Sequence, residues 1–276
     1  ITGWVGGAYW FAYAKRPMVN LRVFRDRNFT LVCILISVMG FALYGSAVMI
    51  PQLAQQQLGY TATWSGLVLA PGAVLLVMLI PVSSRLMGII PAKWIIVFGG
   101  LCLATSFWYS SHLTPDLSFR SLVIIRASQT IGLAFLFVPI STIAYATLPP
   151  ELNGDATALF SMFRNVLGST GISVSTALIT DHEQIRQAHL VQHLTPLHEP
   201  YNTTLQQVQN AMISHGIPAA EAMQQAEGWM FQQLRTQTAI LAYSDVFIIT
   251  AAIAACIIPF ALMLSGVKVQ GGGGAH

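Results

Sequence analysis

Two polar side chains stand inside a long apolar segment, where they could bind a ligand or hold a charge within a membrane. The segment covers residues 119–148, and Arg126 and Gln129 lie in its first half. An arginine in the middle of a membrane span costs about 3 kcal/mol on insertion scales, so such residues usually face a bundle interior or a water-filled cavity. We therefore expect this helix to line a transport pathway.

The helical periodicity of this segment predicts an amphipathic binding face. Arg126 and Gln129 share that face with Leu133, Phe137 and Ile140. A polar group above an aromatic wall suits an amphipathic, drug-like ligand. Arg126 has an alternative, because it lies only about 10 Å from the helix start and its long side chain can reach the lipid headgroups. Gln129 is too short for that.

Small residues and a proline accompany these polar side chains. Gly132 and Pro139 lie beside the predicted face, and a kink at Pro139 would suit a helix that takes part in gating. In a later segment, residues 155–180, Gly168 and Gly171 form a stripe that would let two helices approach closely. We expect these four residues to act in helix packing or gating.

The same later segment holds two further polar candidates. Arg164 shares a face with the glycine stripe, and Asn165 lies on the neighbouring face. Arg164 either reaches inward to the membrane surface or lines a cavity, and the sequence leaves both open. The candidates for substrate binding or coupling are Arg126, Gln129, Phe137, Arg164 and Asn165.

Acidic residues are absent from the deep part of every apolar segment, since Asp155 and Asp245 stand near segment ends. A proton-driven carrier needs an ionisable group in its pathway. If the protein is proton-coupled, we expect that carboxylate in a part of the transporter upstream of this chain.

Other chemistry finds little support. His189 and His193 have the i, i+4 spacing of zinc ligands on a helix, but the glutamate of a zinc-protease motif is missing, which favours a solvated helix. The cysteines Cys33, Cys102 and Cys256 show no metal or redox spacing. There is no nucleotide loop, nucleophile motif or basic nucleic-acid patch. We expect no enzyme activity, cofactor, metal or nucleic-acid partner.

Composition defines the class of protein. Charged residues make up 8% of the chain and the mean hydropathy is +0.63, whereas soluble domains are about 25% charged. The chain is therefore predicted to be an all-α integral membrane protein. Six complete spans are expected, at residues 29–51, 63–84, 93–111, 119–148, 155–180 and 239–265. A turn at Gly59 is expected after the first span, and breaks at Pro71 and Pro81 within the second.

The remaining residues divide around this bundle (29–266). Residues 1–28 are predicted to contain the end of a preceding span and a basic linker. The apolar side chains of Val23 and Phe24 in this linker predict a short segment on the membrane surface. Residues 181–238 are expected to form a polar insert of two or three helices, the last with Pro218 in its first turn, and residues 267–276 a flexible tail. Because five basic residues precede the first complete span, the linker and the C-terminus are expected in the cytoplasm and the insert outside.

Several motifs resemble one family over nearly the whole chain. This sequence is similar to EmrB-type multidrug exporters, the fourteen-helix drug:proton antiporter branch of the major facilitator superfamily. The residues that carry the resemblance are the run 19–29, Pro51-Gln52-Leu53, the run 58–67, Arg126 with Gln129, Leu148-Pro149-Pro150-Glu151, and Arg164-Asn165 with Gly168 and Gly171.

The resemblance implies the C-terminal half of a major facilitator transporter, from the end of the eighth helix to the fourteenth. It implies proton-coupled drug efflux across a bacterial inner membrane, with a periplasmic adaptor and an outer-membrane channel as partners. In this family the proton-binding carboxylates lie mostly in the other half. One departure is the loop after Pro81, where the gating motif of the superfamily is reduced to Arg85, Gly88 and Lys93.

The alternative function is a non-transporting membrane scaffold, or a degenerate half that acts only through assembly with partners. The upstream reading frame discriminates between the two. Further spans with an intramembrane carboxylate favour the antiporter, and a stop codon favours the scaffold.

Overall fold

The structure is a computed structural model that describes residues 21–112, 117–146, 148–191, 199–214 and 216–264. Regular secondary structure within these residues is helical, which confirms the predicted all-α class. The expected initial partial span and C-terminal tail lie outside the described residues, as does His193. The described helices are α1 (Arg27–Gln56), α2 (Ala62–Met87), α3 (Ala92–Ser110), α4 (Phe119–Ala146), α5 (Asn153–Val191), α6 (Glu199–Ser214), α7 (Ala219–Ala255) and α8 (Ile257–Leu262), with 3-10 turns at Leu21–Arg25 and Pro150–Leu152.

Five stretches of the described helices are long and apolar enough to cross a membrane. They are α1 to α4 and the stretch Glu221–Leu262, which covers most of α7 and all of α8. Helix α5 is 39 residues long, but its many polar side chains keep it out of this group. That residues 155–180 cross the bilayer therefore stays a prediction, and the polar character of α5 needs its own explanation.

The prolines do not interrupt the helices in which they lie. The expected breaks at Pro71 and Pro81 are wrong, because α2 runs through both residues. Helix α1 likewise passes Pro51 and ends at Gln56. Neighbouring helices and local adjustments can satisfy the carbonyl groups that a proline leaves without a donor in a membrane helix. Gly59, with a φ of 68°, makes the turn that follows α1.

Helix α1 occupies the centre of the bundle. It packs most extensively against α5 and also contacts α2, α4 and α7, while α3 packs on α4, α7 and α8. The fully buried side chains Leu35, Ile36 and Met39 of α1 belong to the same hydrophobic core as Leu136 of α4 and Phe247 of α7. One continuous core therefore joins the helices that position the polar candidates.

Glycines allow the closest helix crossings. A Cβ atom built on Gly171 of α5 would lie 2.7 Å from the Phe41 carbonyl oxygen of α1, and one on Gly168 would overlap the Tyr44 ring. On α4, a Cβ at Gly132 would lie 2.7 Å from the backbone nitrogen of Leu103 in α3. These contacts leave no space for a side chain, so the α1–α5 and α3–α4 distances depend on glycine.

The linker before α1 packs into the protein instead of lying on a membrane surface. Val23 is fully buried. The Phe24 ring stands edge-on to Phe29 of α1 and Phe163 of α5, with centroids 5.9 Å from each. Asp26 caps α1 by accepting a hydrogen bond from the Phe29 amide at 3.0 Å. The prediction that Val23 and Phe24 lie on the membrane surface was therefore wrong. Helices α1 and α5 supply an apolar pocket for the Phe24 side chain.

The polar insert contains the continuations of α5 and α7. Helix α5 extends to Val191, and α7 runs unbroken from Ala219 into the apolar stretch. Helix α6 packs against α7. Pro218, expected in the first helical turn, is the residue immediately before α7. The insert is therefore mechanically continuous with α5 and α7.

A carboxylate joins α5 to α7 where the insert begins. Asp245 of α7 accepts two hydrogen bonds from Arg186, at 2.8 Å to Nε and 2.7 Å to Nη2. The Nδ1 atom of His182 lies 3.1 Å from the same carboxylate. The bond to Asp245 raises the pKa of the Arg186 guanidinium, so that side chain stays charged. This bidentate pair fixes the relative position of the two helices.

Adding one methyl group at Gly171 tests the glycine-mediated packing. We expect Gly171→Ala to destabilise the protein by about 1–3 kcal/mol, because the α1–α5 crossing must separate. The measurement is thermal unfolding in detergent, followed by size-exclusion chromatography. Gly66→Ala is the matched control, since a Cβ at Gly66 meets nothing within 4 Å. Equal unfolding temperatures for the two variants would contradict this packing role.

Candidate functional site

An apolar cleft of about 290 Å³ opens between α1, α2 and α4. Two polar side chains, Arg126 and Thr130 of α4, contribute to its lining. The remaining lining residues are Met39, Leu43, Leu69, Gly72, Ala73, Leu76, Ile80, Leu133 and Phe137. The cleft thus combines a hydrophobic surface with a single cationic group, as expected for an amphipathic ligand.

The Arg126 side chain crosses the bundle instead of reaching along its helix to the membrane surface. Its Nη1 atom donates a hydrogen bond of 2.9 Å to Ser46 Oγ of α1. Ser46 is fully buried, and its hydroxyl donates to the Leu43 carbonyl. Gly72 of α2 lies over the stem of the arginine, because a Cβ there would be 3.2 Å from Arg126 Cγ. Of the two alternatives left by the sequence, this geometry favours the bundle interior.

The charge of Arg126 lacks an acidic partner within the described part of the chain. The ion pairs found there both involve Asp245, at the insert. Ser46 supplies one neutral acceptor, whereas a guanidinium carries five N–H donors. Electrostatic interactions strengthen where water is excluded. A ligand with an anionic or strongly polar group would therefore gain free energy by approaching this arginine.

Gln129 does not share the cleft, contrary to the expectation from the sequence. It is 0% exposed, and its Nε2 donates to Ser110 Oγ of α3 at 3.2 Å. Its buried Oε1 has no hydrogen-bond partner among the described residues. On a helix Gln129 lies about 60° to one side of Arg126, whereas Thr130 and Phe137 lie within about 40° on the other side. That rotation turns Gln129 toward α3.

The other α4 candidates occupy three different environments. Phe137 is 37% exposed and lines the cleft about three helical turns from Arg126. Pro139 is buried, and α4 continues through it to Ala146. Gly132 faces α3 at the close crossing described above. Phe137 is thus the one of these residues that reaches the cleft.

Helix α5 presents a polar face to its surroundings. Asn165, Ser169, Ser173 and Thr180 are exposed and follow each other at helical spacing. The neighbouring Arg164 is half-buried, and its Nε is buried without a hydrogen-bond partner among the described residues. This polar stripe is distinct from the Arg126 cleft, because α5 does not line that cleft.

Two features were missed from the sequence. Ser46 was not singled out, although it holds Arg126, because serines in membrane helices usually bond their own backbone. The Asp245 cluster was passed over because the carboxylate stands near a segment end. The i, i+4 spacing of His182 and Arg186 was the available signal. No group of His, Cys, Asp and Glu within the described residues could hold a metal ion.

Comparison with known proteins identifies relatives along the whole chain. The multidrug export protein EmrB of Escherichia coli K12 is 31% identical, covering 97% of this chain and 51% of EmrB. The fatty acid resistance protein FarB of Neisseria gonorrhoeae is 27% identical, covering 97% of this chain and 51% of FarB. The chain thus spans about half the length of these relatives.

These matches confirm the resemblance to EmrB-type exporters. The relatives are transporters and not enzymes, and the apolar helices make the chain a multi-pass membrane protein. The model of the Major Facilitator Superfamily matches residues 4–172, more than half of the chain. The chain therefore belongs to the Major Facilitator Superfamily.

Proposed function

We propose that this chain is the C-terminal half of a proton-coupled multidrug exporter of the inner membrane, and that it forms one wall of the drug pathway. The observation that supports this proposal most directly is the position of Arg126. This cation lines an apolar cleft, and its hydrogen-bond acceptor is a serine. The similarity to the multidrug export protein EmrB, over 97% of this chain and 51% of EmrB, supports the same proposal.

The cleft suits amphipathic drugs that carry a polar or anionic end. That end would accept hydrogen bonds from Arg126, and an apolar body would lie along Leu69, Leu76 and Phe137. The names of two relatives, a multidrug export protein and a fatty acid resistance protein, agree with such substrates. The volume of about 290 Å³ is near the lower end of small-molecule sites, so we expect the other half of the transporter to complete the site.

The polar stripe of α5 supplies a second part of the wall. Lipid would leave Asn165 without hydrogen-bond partners, which is costly in hydrocarbon. A water-filled pathway or the other half of the transporter satisfies it. Arg164 lies beside this stripe and is its candidate charged group. Gln129 contributes to the packing of α4 on α3 and not to substrate binding.

The close crossings give the wall two rigid units. Gly168 and Gly171 hold α5 on α1, and Gly132 holds α4 on α3. Alternating access by rocking of rigid bundles requires helices that move together. Pro139 is the candidate for local bending of α4. The proton-binding carboxylate is expected in the other half, since no acidic residue lines the cleft around Arg126.

The helical insert is the candidate docking surface for a periplasmic adaptor that leads to an outer-membrane channel. Trp229 of α7 is 45% exposed, and the apolar side chains of Met223 and Phe231 are also exposed on this part of the helix. Exposed tryptophans are frequent energetic centres of protein interfaces. With the expected orientation, this residue lies on the periplasmic side.

Removal of the Arg126 charge tests the drug site. In the complete transporter, we expect Arg126→Ala to lower drug resistance about tenfold or more, because a charge-assisted hydrogen bond is lost. The measurement is the inhibitory drug concentration for cells that lack other exporters. Arg120→Ala, an exposed arginine near the start of α4, is the matched control. If the Arg126 variant reaches normal levels in the membrane and drug resistance is unchanged, the proposed role of Arg126 is contradicted.

Thiol labelling tests whether the α5 stripe faces water. In a variant without native cysteines, we expect Asn165→Cys and Ser173→Cys to react with a charged methanethiosulfonate, and drug to slow the reaction. Val77→Cys on α2 is the control, because Val77 is 69% exposed within an apolar helix face. Labelling of Val77→Cys alone would show that the stripe is not part of a water-filled pathway.

Replacement of Trp229 tests adaptor docking. We expect Trp229→Ser to reduce co-purification of the adaptor while the transporter still inserts and elutes as a folded species. Trp108→Ser is a suitable control, since Trp108 is 61% exposed near the end of α3 and outside the insert. Equal adaptor recovery with both variants would exclude a docking role for Trp229.

A further inference from the structure

A second cleft, of about 670 Å³, opens at the end of the bundle where α1 terminates. Its walls come from α1, α5 and α7, and most of its lining is polar, unlike the Arg126 cleft. The lining residues are Gln56, Gln57, Glu183, Gly228, Phe231, Gln232, Arg235 and Thr236. None of the roles proposed above uses this cleft.

Two opposite charges face this cleft from different helices. Glu183 belongs to α5 and Arg235 belongs to α7. Within the described residues neither side chain takes part in an ion pair. The ion pairs found there are those of Asp245 with Arg186 and His182. The cleft therefore offers one anionic group, one cationic group and the amides of Gln56, Gln57 and Gln232.

The predicted boundaries of three membrane segments place this cleft at the level of lipid headgroups. Gln56 is the last residue of α1. Glu183 lies three residues after Thr180, where the predicted fifth span ends. Arg235 lies four residues before Ala239, where the predicted sixth span begins. Three or four helical residues cover only about 5 Å. The polar region on each side of the hydrocarbon core is about as deep.

We propose that this cleft binds the headgroup of a zwitterionic phospholipid that carries a primary ammonium, namely a phosphoethanolamine group. The Arg235 guanidinium donates to the phosphate, for which its planar geometry is well suited. The Glu183 carboxylate accepts hydrogen bonds from the ammonium. The glutamine amides complement the remaining polar atoms, and Phe231 contributes apolar contact.

An ion pair joins α5 and α7, the two helices that carry the charged residues of the cleft. Arg186 and Asp245 join α5 to α7 through two hydrogen bonds, of 2.7 and 2.8 Å. Glu183 precedes Arg186 by less than one helical turn, so its backbone is fixed by the same pair. A site with a preorganised backbone loses less conformational entropy on binding.

The charge arrangement distinguishes between common headgroups. A choline headgroup has the same charges, but its trimethylated nitrogen cannot donate a hydrogen bond to Glu183. A glycerol headgroup lacks the cation altogether, so Glu183 would repel its lipid. Drug transport is not required for this site, which depends only on these helices crossing a bilayer.

Native mass spectrometry of the full-length protein tests this proposal. The protein is purified in detergent and mixed with equal amounts of phosphatidylethanolamine, phosphatidylcholine and phosphatidylglycerol. We expect retention of phosphatidylethanolamine to exceed that of phosphatidylcholine about tenfold. A ratio of this size corresponds to the free energy that one charge-assisted hydrogen bond contributes. Glu183→Gln should abolish this preference, and Arg235→Gln should weaken the retention of all three lipids.

Two further variants make the result interpretable. Glu227→Gln, an exposed carboxylate of α7 that does not line the cleft, should keep the wild-type preference. Glu183→Lys, which places a second cation in the cleft, should favour phosphatidylglycerol. The proposal is overturned if the wild-type protein retains the three lipids equally, or if Glu183→Gln keeps the preference for phosphatidylethanolamine.

Discussion

The charge of Arg126 is the constraint on which the arrangement of α1, α2 and α4 depends. A guanidinium at this depth is stable only where polar groups meet it, and Ser46 of α1 supplies one acceptor at 2.9 Å. Gly72 of α2 leaves the space through which the side chain passes. The surrounding cleft is otherwise apolar except for Thr130. The bundle thus holds a cation in the lining of a hydrophobic cleft.

The rest of the bundle keeps this constraint in place through close backbone contacts. Helix α1 carries Ser46 and is also the helix that Gly168 and Gly171 of α5 approach most closely. Helix α4 carries Arg126 and meets α3 at Gly132. A change in either crossing would therefore alter the position of the arginine or of its acceptor. At the insert, the pair formed by Arg186 and Asp245 plays the corresponding role between α5 and α7.

Properties set by composition and by local sequence could be predicted. The low charge content indicated a membrane protein, and the first four apolar segments matched α1 to α4 with small shifts at their ends. The turn at Gly59 and the start of α7 after Pro218 follow from backbone chemistry that acts over a few residues. The proline breaks in α2 were wrong because the local rule omits the neighbouring helices and the absence of competing water.

Properties set by the rotation of one helix against another could not be predicted. Arg126 and Gln129 are close on a helical projection, yet one faces the cleft and the other faces α3. A difference of about 60° decides this, and only the packed neighbours determine it. Likewise, Asp245 finds Arg186 across 59 residues of sequence. The i, i+4 spacing of His182 and Arg186 places two basic groups on one face of α5, but it does not identify the carboxylate on α7 that they meet.

Equilibrium binding of an amphipathic carboxylic acid and of its methyl ester to the purified full-length transporter tests the role of Arg126 most directly. The account predicts that Arg126→Ala weakens binding of the acid about tenfold or more, since a charge-assisted contact is removed. Binding of the uncharged ester should change little, and Arg126→Lys should retain part of the affinity for the acid. Equal binding of the acid by the wild-type protein and Arg126→Ala would contradict the account.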